Sequence, residues 1–231
     1  MTQTFRTYAQ CAWLLCGAVA CRTPQEPSNG RPGGTIVFTM SNAQQVISGP
    51  HSSIVDSLIV DVSAAGNTEQ QSIRRKLSRT DSVVSLTVTL SDGVANVDAR
   101  VVSRNQTLLY RGLGSGAVAA NGFTIPVSLV AQGPVLAVAP DTMRVVIGSV
   151  LSRQGDTLRV YNRGSGTMTA SIAYFSGGCG QGCTVTPAAV SVPAGGVVGV
   201  VVRALFFQTG TAIIGVVMGR DTLLVPVRAT Q

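Results

Sequence analysis

Alternation of apolar and polar residues over strand-length segments is the feature that most limits what this chain can fold into. In residues 82–90, apolar side chains occupy every second position and small hydroxyl side chains lie between most of them. Residues 95–102 follow a similar pattern. A period of two places the apolar residues on one face of a β-strand, whereas an amphipathic helix needs a period of 3.6. The alternation therefore predicts strands with one buried and one solvated face.

Similar segments recur along the chain, separated by turn residues such as Ser91-Asp-Gly93 and Ala120-Asn-Gly122. The candidate strands form a first set at 35–40, 54–62, 82–90, 95–102, 107–110 and 122–129, and a second set at 135–138, 143–147, 156–161, 167–174, 184–186, 197–204, 211–218 and 222–228. Short strands at this spacing predict antiparallel β-sandwiches. We expect an all-β fold with two tandem immunoglobulin-like sandwiches, at 35–133 and 134–231, with the boundary near Ala131-Gln-Gly-Pro134.

The amino-acid composition also favours strands over helices. Hydrophobic residues make up 45% of the chain and charged residues 12%. Valine and threonine are frequent, and both fit a pleated surface. The Glu/Lys pairs that support isolated helices are almost absent. Disorder is excluded by the large apolar fraction.

The first twenty residues have the layout of an export signal. A head with one positive side chain, Arg6, precedes an apolar run at 11–20, which ends in small residues before Cys21. This layout also resembles a bacterial lipoprotein signal, in which the chain is cut before a cysteine that then receives fatty acid such as palmitate. The resemblance implies residues 1–20 as a cleaved signal, Cys21 as the lipidation site and a lipid anchor in the membrane. Plain secretion by a cut at the same bond remains an alternative.

The segment after Cys21 does not continue a helix. Residues 22–34 hold three prolines and three glycines, which predicts a flexible tether at 21–34. The apolar run before it has about half of the ~20 residues that a membrane-spanning helix needs. We therefore expect an exported protein of the cell envelope, held at the outer membrane as a lipoprotein, with a secreted or periplasmic protein as the alternative.

Two cysteines, Cys179 and Cys183, would remain in the body of the exported chain besides Cys21. Glycines surround them, so the backbone can bring the two residues within disulfide range, and an oxidising compartment favours the bond. A zinc site needs four ligands, and His51 is the single histidine of the chain. A redox pair usually has two residues between its cysteines. These residues predict a structural disulfide.

Four segments of the second half read DTLRVYNRGSGTMTA at 156–170, TVTPA at 184–188, VPAGGV at 192–197 and QTGTA at 208–212. In this succession they resemble bacterial immunoglobulin-like domains of the BACON and ASPM/SPD-2/Hydin type. The resemblance covers residues 134–231 and implies a sandwich fold. The first half is similar to immunoglobulin-like modules of bacterial surfaces through TLLYRG at 107–112.

Catalytic and metal-binding residues do not cluster in the sequence. His51 lies among serines in a turn, and the two glutamates and eight aspartates are scattered. Acid–base catalysis and calcium binding both need such groups close together. We expect neither enzymatic activity nor a cofactor nor a metal ion.

Basic residues outnumber acidic ones by seven, and the densest group is Arg74-Arg75-Lys76 with Arg79. Arginines bind phosphate and carboxylate groups, so this group is a candidate site for an anion. The alternative is a charged strand edge that prevents pairing between molecules. Nucleic acid is not expected, because base-stacking aromatics are scarce near the group.

Function is predicted only broadly. A cell-envelope spacer or an adhesion and interaction module fits every feature, with surface proteins or glycans as partners. A carbohydrate-binding module of the cell surface is the alternative, because such modules stack sugars on exposed aromatics. The candidate ligand-binding aromatics are two neighbouring pairs, Tyr174 with Phe175 and Phe206 with Phe207.

Overall fold

The computed structural model describes residues 33–39, 52–64, 70–78, 84–119, 122–146, 154–178, 183–204, 206 and 209–230. The predicted export signal and most of the tether lie outside these ranges. Every regular element within them is a β-strand, which confirms the all-β prediction. The described ranges contain no helix of the length and apolarity that crossing a membrane requires.

The strands of the first half are β1 (Gly33–Thr39), β2 (Ser52–Ser53), β3 (Val55–Ala64), β4 (Gln70–Lys76), β5 (Val84–Thr89), β6 (Gly93–Ser103), β7 (Leu108–Val118), β8 (Thr124–Ser128) and β9 (Val130–Ala131). Those of the second half are β10 (Leu136–Ala139), β11 (Met143–Val146), β12 (Gln154–Asn162), β13 (Met168–Gly177), β14 (Thr184–Thr186), β15 (Ala189–Val192), β16 (Val197–Ala204), β17 (Gly210–Met218) and β18 (Asp221–Thr230).

The first sandwich packs a three-stranded sheet, β5-β1-β8, against a five-stranded sheet, β4-β3-β6-β7-β9. In β5, Val84 and Val88 are buried while Ser85 and Thr87 are exposed, as the alternation predicts. Strand β1 begins at Gly33, inside the predicted tether, because the backbone there pairs with Thr89 of β5. The sheet is not purely antiparallel, since β1 and β8 run parallel.

Glycines in β7 set the distance between the two sheets of this sandwich. Gly112, Gly114 and Gly116 occupy alternate positions that face β8. A Cβ atom on Gly114 would lie 2.8 Å from a methyl group of Val127, well inside ordinary contact. The missing side chains therefore allow β8 to approach β7 closely.

The second sandwich packs sheet β14-β16-β12-β10-β2 against sheet β11-β18-β17-β13-β15. Alternate residues of β12, β13, β16 and β17 point between the sheets, where Leu158, Ile172, Val200 and Ile214 are buried. The edge strand β11 runs parallel to β18, and the other described pairings of this sheet are antiparallel.

The two sandwiches share a junction. Strand β2 comes from the first half of the chain, yet it pairs with β10 of the second. The hydroxyl of Tyr110 donates to the carbonyl oxygen of Arg163 (3.0 Å), and the side-chain amide of Asn105 donates to that of Arg220 (2.6 Å). Buried residues of both halves form one hydrophobic cluster. The predicted boundary at 131–134 falls between β9 and β10, but the sheets do not follow it strictly.

Candidate functional site

A β-bulge in β13 presents Phe175 to solvent. The pairing of β13 with β17 shifts register between Tyr174 and Ser176, and Phe175 is the extra residue. Its side chain is 52% exposed, and its ring lies over Gly215 of β17, where a Cβ atom would collide with it. The bulge and the glycine together place an aromatic ring on the outer face of the sheet.

Apolar side chains on β17 and β18 lie near this ring in the register of the sheet. Leu224 of β18 lies opposite Gly215 and is 53% exposed. Two positions along the same two strands, on the same face, Ile213 lies opposite Pro226, and both are half-buried. We call Phe175, Leu224, Ile213 and Pro226 the Phe175 face.

Two arginines border the Phe175 face at the sheet edge. Arg144 of β11 and Arg228 of β18 lie side by side in the parallel register, and both are exposed. Thr211 of β17 is opposite Arg228 on the other side. Neither guanidinium has an ion-pair partner in the part of the chain that the structure describes. Arg144 and Arg228 therefore present two positive charges, neither neutralised by a described residue, beside the apolar Phe175 face.

The members of the predicted aromatic pairs do not share one exposed surface among the described residues. Tyr174 faces the interior opposite Ile214, and its hydroxyl donates to the carbonyl oxygen of Gly177 (2.5 Å). Phe206 is 7% exposed and belongs to the core, which contradicts its predicted contact with a ligand. Phe207 lies outside the described residues. Of the described members, Phe175 alone presents its ring to solvent.

The predicted basic group is divided by the pleat of β4. Arg74 and Lys76 are exposed on the outer face, whereas Arg75 is half-buried on the opposite face, with Nη1 3.5 Å from the carbonyl oxygen of Ser85. Arg79 lies outside the described residues. In the part of the chain that the structure describes, β4 is the edge strand of its sheet, which is the position that the alternative interpretation requires. Anion binding by this group stays a prediction.

Ion pairs on the outer face of the same sheet were not foreseen from the sequence. Arg111 of β7 binds both carboxylate oxygens of Asp98 (3.1 and 3.0 Å). This hydrogen bond, with the charge of the carboxylate, raises the pKa of Arg111. Arg100 pairs with Asp61, which also accepts a hydrogen bond from Ser72 (2.6 Å). Register pairing across strands brings these residues together, and sequence spacing does not reveal it.

The cysteines are described in part. Cys183 is half-buried, packs against the core and is disulfide-bonded. Its predicted partner Cys179 and the predicted lipidation site Cys21 lie outside the described residues. The pairing of Cys179 with Cys183 stays a prediction.

The described residues contain no group of three or more acidic, histidine or cysteine side chains placed to hold a metal ion. His51 lies outside them. The Phe175 face and the arginines beside it present aromatic, aliphatic and guanidinium groups.

Comparison with known proteins gives similarity in structure alone. No family model matches the chain, and no curated protein matches its sequence. It is similar to a Porphyromonas gingivalis W83 protein of unknown function, with 12% identity, a TM-score of 0.36, and 88% of this chain and 98% of that one covered. It is also similar to the D00-D0 domain of intimin, with 13% identity, a TM-score of 0.35, and coverage of 77% and 86%.

The adhesin InvE of Yersinia pseudotuberculosis is similar at 12% identity and a TM-score of 0.34, over 86% of this chain and 59% of that one. The resemblance to BACON-type domains has no matching family model. Identities and TM-scores at this level assign no function, which must be argued from the surface itself.

Proposed function

We propose that this protein is a non-enzymatic, lipid-anchored module of the cell envelope that binds another molecule through the Phe175 face. The observation that carries the proposal is the exposed ring of Phe175 on a bulge, next to exposed Leu224. Exposed aromatic residues among aliphatic neighbours are typical of binding surfaces. A spacer without a ligand does not need them.

The positions of the strand ends support an anchored display. Strand β1 begins at Gly33, so the tether after Cys21 spans at most about 40 Å when extended. Gly33 pairs with Thr89, just before the turn into β6, whereas Asn105 follows the far end of β6 at the junction. The tether and the second sandwich are thus attached at opposite ends of the first, roughly 35 Å apart along β6.

The position of the Phe175 face within the second sandwich supports the same role. Arg220, in the turn between β17 and β18, contacts Asn105 at the junction. Gly215 lies at the middle of β17, and Thr211 lies near the opposite end of the strand. Together with Arg228, which lies opposite Thr211, the face therefore extends from the middle of its sheet towards the end away from the junction and the anchor.

Carbohydrate binding is the second candidate function. A half-exposed aromatic ring on the outer face of a sheet suits stacking against the apolar face of a sugar. Hydroxyl groups of Thr211 and Thr222 on the same face supply hydrogen-bonding partners.

Anchoring is tested by fatty-acid labelling of cells that produce the wild-type chain or Cys21→Ser. We expect label and membrane association for the wild type and loss of both for the variant. Label that persists in Cys21→Ser would contradict the anchor, and an unlabelled wild type recovered in the medium would support plain secretion.

Binding through the Phe175 face is tested by attachment of cells that display the full chain. Phe175→Ala combined with Leu224→Ser should reduce attachment strongly at equal surface amounts. Val201→Ser, an exposed valine on the opposite sheet, is the matched control and should have no effect. Equal attachment by all three would refute the proposal.

A further inference from the structure

The pair Arg144–Arg228 is an unfavourable arrangement for the protein alone. Like charges in neighbouring register positions repel each other and destabilise a sheet. Elsewhere on the described surface, Arg100 and Arg111 have aspartate partners. Residues 134–231 contain seven arginines and three aspartates, with no lysine or glutamate, a formal charge of +4. An anionic group that lies between the two guanidinium groups would relieve the repulsion.

The size of the apolar surface argues against a protein partner. An aromatic side chain offers 150–250 Å², so half-exposed Phe175 presents on the order of 100 Å². Leu224 adds a comparable area, and Ile213 and Pro226 add less because they are half-buried. A standard protein interface buries about 800 Å² on each side. The surface fits a narrow ligand that contacts one row of side chains at a time.

The spacing along β18 sets the length of such a ligand. Arg228 lies four positions after Leu224, which corresponds to about 13 Å along the strand. A ligand that stacks on Phe175 and also reaches the arginines must extend over that distance. It must carry a ring with an apolar face at one place and an anion at another.

We propose that the Phe175 face and the pair Arg144–Arg228 bind an acidic polysaccharide, in which one sugar ring stacks on Phe175 and a uronate carboxylate lies between the two guanidinium groups. Arginine can bind a carboxylate with two parallel hydrogen bonds, so a uronate group is an anion that this pair can hold. This inference rests on the proposed binding role of the Phe175 face and adds the class of ligand.

The test measures binding of the purified full chain to four polymers. Polygalacturonate and alginate carry uronate groups, methyl-esterified polygalacturonate has the same backbone without the charge, and poly-L-glutamate has carboxylates without sugar rings. We expect the uronate polymers to bind at least about tenfold more tightly than the other two, since a hydrogen bond to a charged group accounts for about that factor. Equal binding of the ester or of poly-L-glutamate would overturn the proposal, and so would no binding of either uronate polymer.

Variants of the proposed site test where polygalacturonate binds. The double variant Arg144→Gln/Arg228→Gln and the single variant Phe175→Ala should each weaken binding of polygalacturonate by about tenfold or more. Arg203→Gln, an exposed arginine on the opposite sheet, is the control and should bind as the wild type does. Gly215→Ala keeps every functional side chain but displaces the ring of Phe175, so it should also weaken binding.

The outcomes separate the two proposals. The proposed site is wrong if these variants unfold at the same temperature as the wild type and bind polygalacturonate as tightly. If the uronate polymers fail to bind while Phe175→Ala combined with Leu224→Ser still abolishes cell attachment, the ligand class is wrong and the binding role of the face stands.

Discussion

At the scale of single residues, the side chain of Asn162 stands out because it makes four hydrogen bonds to the backbone. It is fully buried, accepts hydrogen bonds from the amides of Val135 (3.2 Å) and Gly164 (3.1 Å), and donates to the carbonyl oxygens of Gly166 (2.7 Å) and Val192 (3.2 Å). One side chain thus joins the linker before β10 to the loop between β12 and β13 and to the end of β15. The sequence marks it only as part of an Asn-x-Gly motif.

Replacing Asn162 with alanine leaves these four backbone groups without their partner. Each unsatisfied buried group costs about 1–3 kcal/mol, so we expect Asn162→Ala to lower the free energy of unfolding by about 3 kcal/mol or more. Urea denaturation measures the change. Asn96→Ala, at an exposed position of β6, is the control and should change stability by less than about 0.5 kcal/mol.

Tyr110 makes stability depend on pH in the alkaline range. Burial raises the pKa of Tyr110 from 10.0 to about 12, and the positive charge of Arg163 opposes this shift. Below pH 10 both states keep the phenol proton. Between pH 10 and 12 the unfolded chain releases it while the folded chain does not, so the free energy of unfolding falls by at most about 2.7 kcal/mol.

Unfolding measured in urea at a series of pH values checks this prediction. Tyr110→Phe should be less stable than the wild type by about 1 kcal/mol at pH 7, because the bond to the carbonyl of Arg163 is lost. The same variant should lose less stability between pH 10 and 12. If the free energy of unfolding fell equally in both proteins between pH 10 and 12, Tyr110 would not be the source of the pH dependence.

At the scale of elements, the glycines of β7 have a role that local propensity hides. Glycine is disfavoured in strands, so the sequence predicts a strand only at 107–110, whereas β7 extends to Val118. Packing against β8 overrides the propensity, because larger side chains at 112, 114 and 116 would collide with it. Alternation thus predicts strands that bury apolar side chains, but not a strand that buries glycine.

A substitution on each face of β7 tests this explanation. Gly114→Val should destabilise the chain by about 1–3 kcal/mol, since it forces β7 and β8 apart. Ser115→Val, at the next position and on the exposed face, should be nearly neutral. Chemical denaturation of both variants measures the difference, and equal effects would refute a packing role for Gly114.

At the scale of the whole molecule, the junction couples the sandwiches. Strand β2 completes a sheet of the second sandwich, and the hydrogen bonds of Tyr110 and Asn105 cross the same boundary. We expect the wild type to unfold in one calorimetric transition. Asn105→Ala combined with Tyr110→Phe should broaden or split that transition. Two separate transitions in the wild type would contradict coupling through the junction.

The sequence by itself determined the fold class, because a period of two between apolar residues is a local property that survives in any tertiary context. It also determined the positions of most strands, since turn residues separate them. The tertiary structure alone decided that β2 joins the second half, that Phe206 is buried while Phe175 is exposed, and that Arg144 lies beside Arg228. Register, bulges and sheet packing bring together residues that are far apart in the chain, and no local pattern encodes those distances.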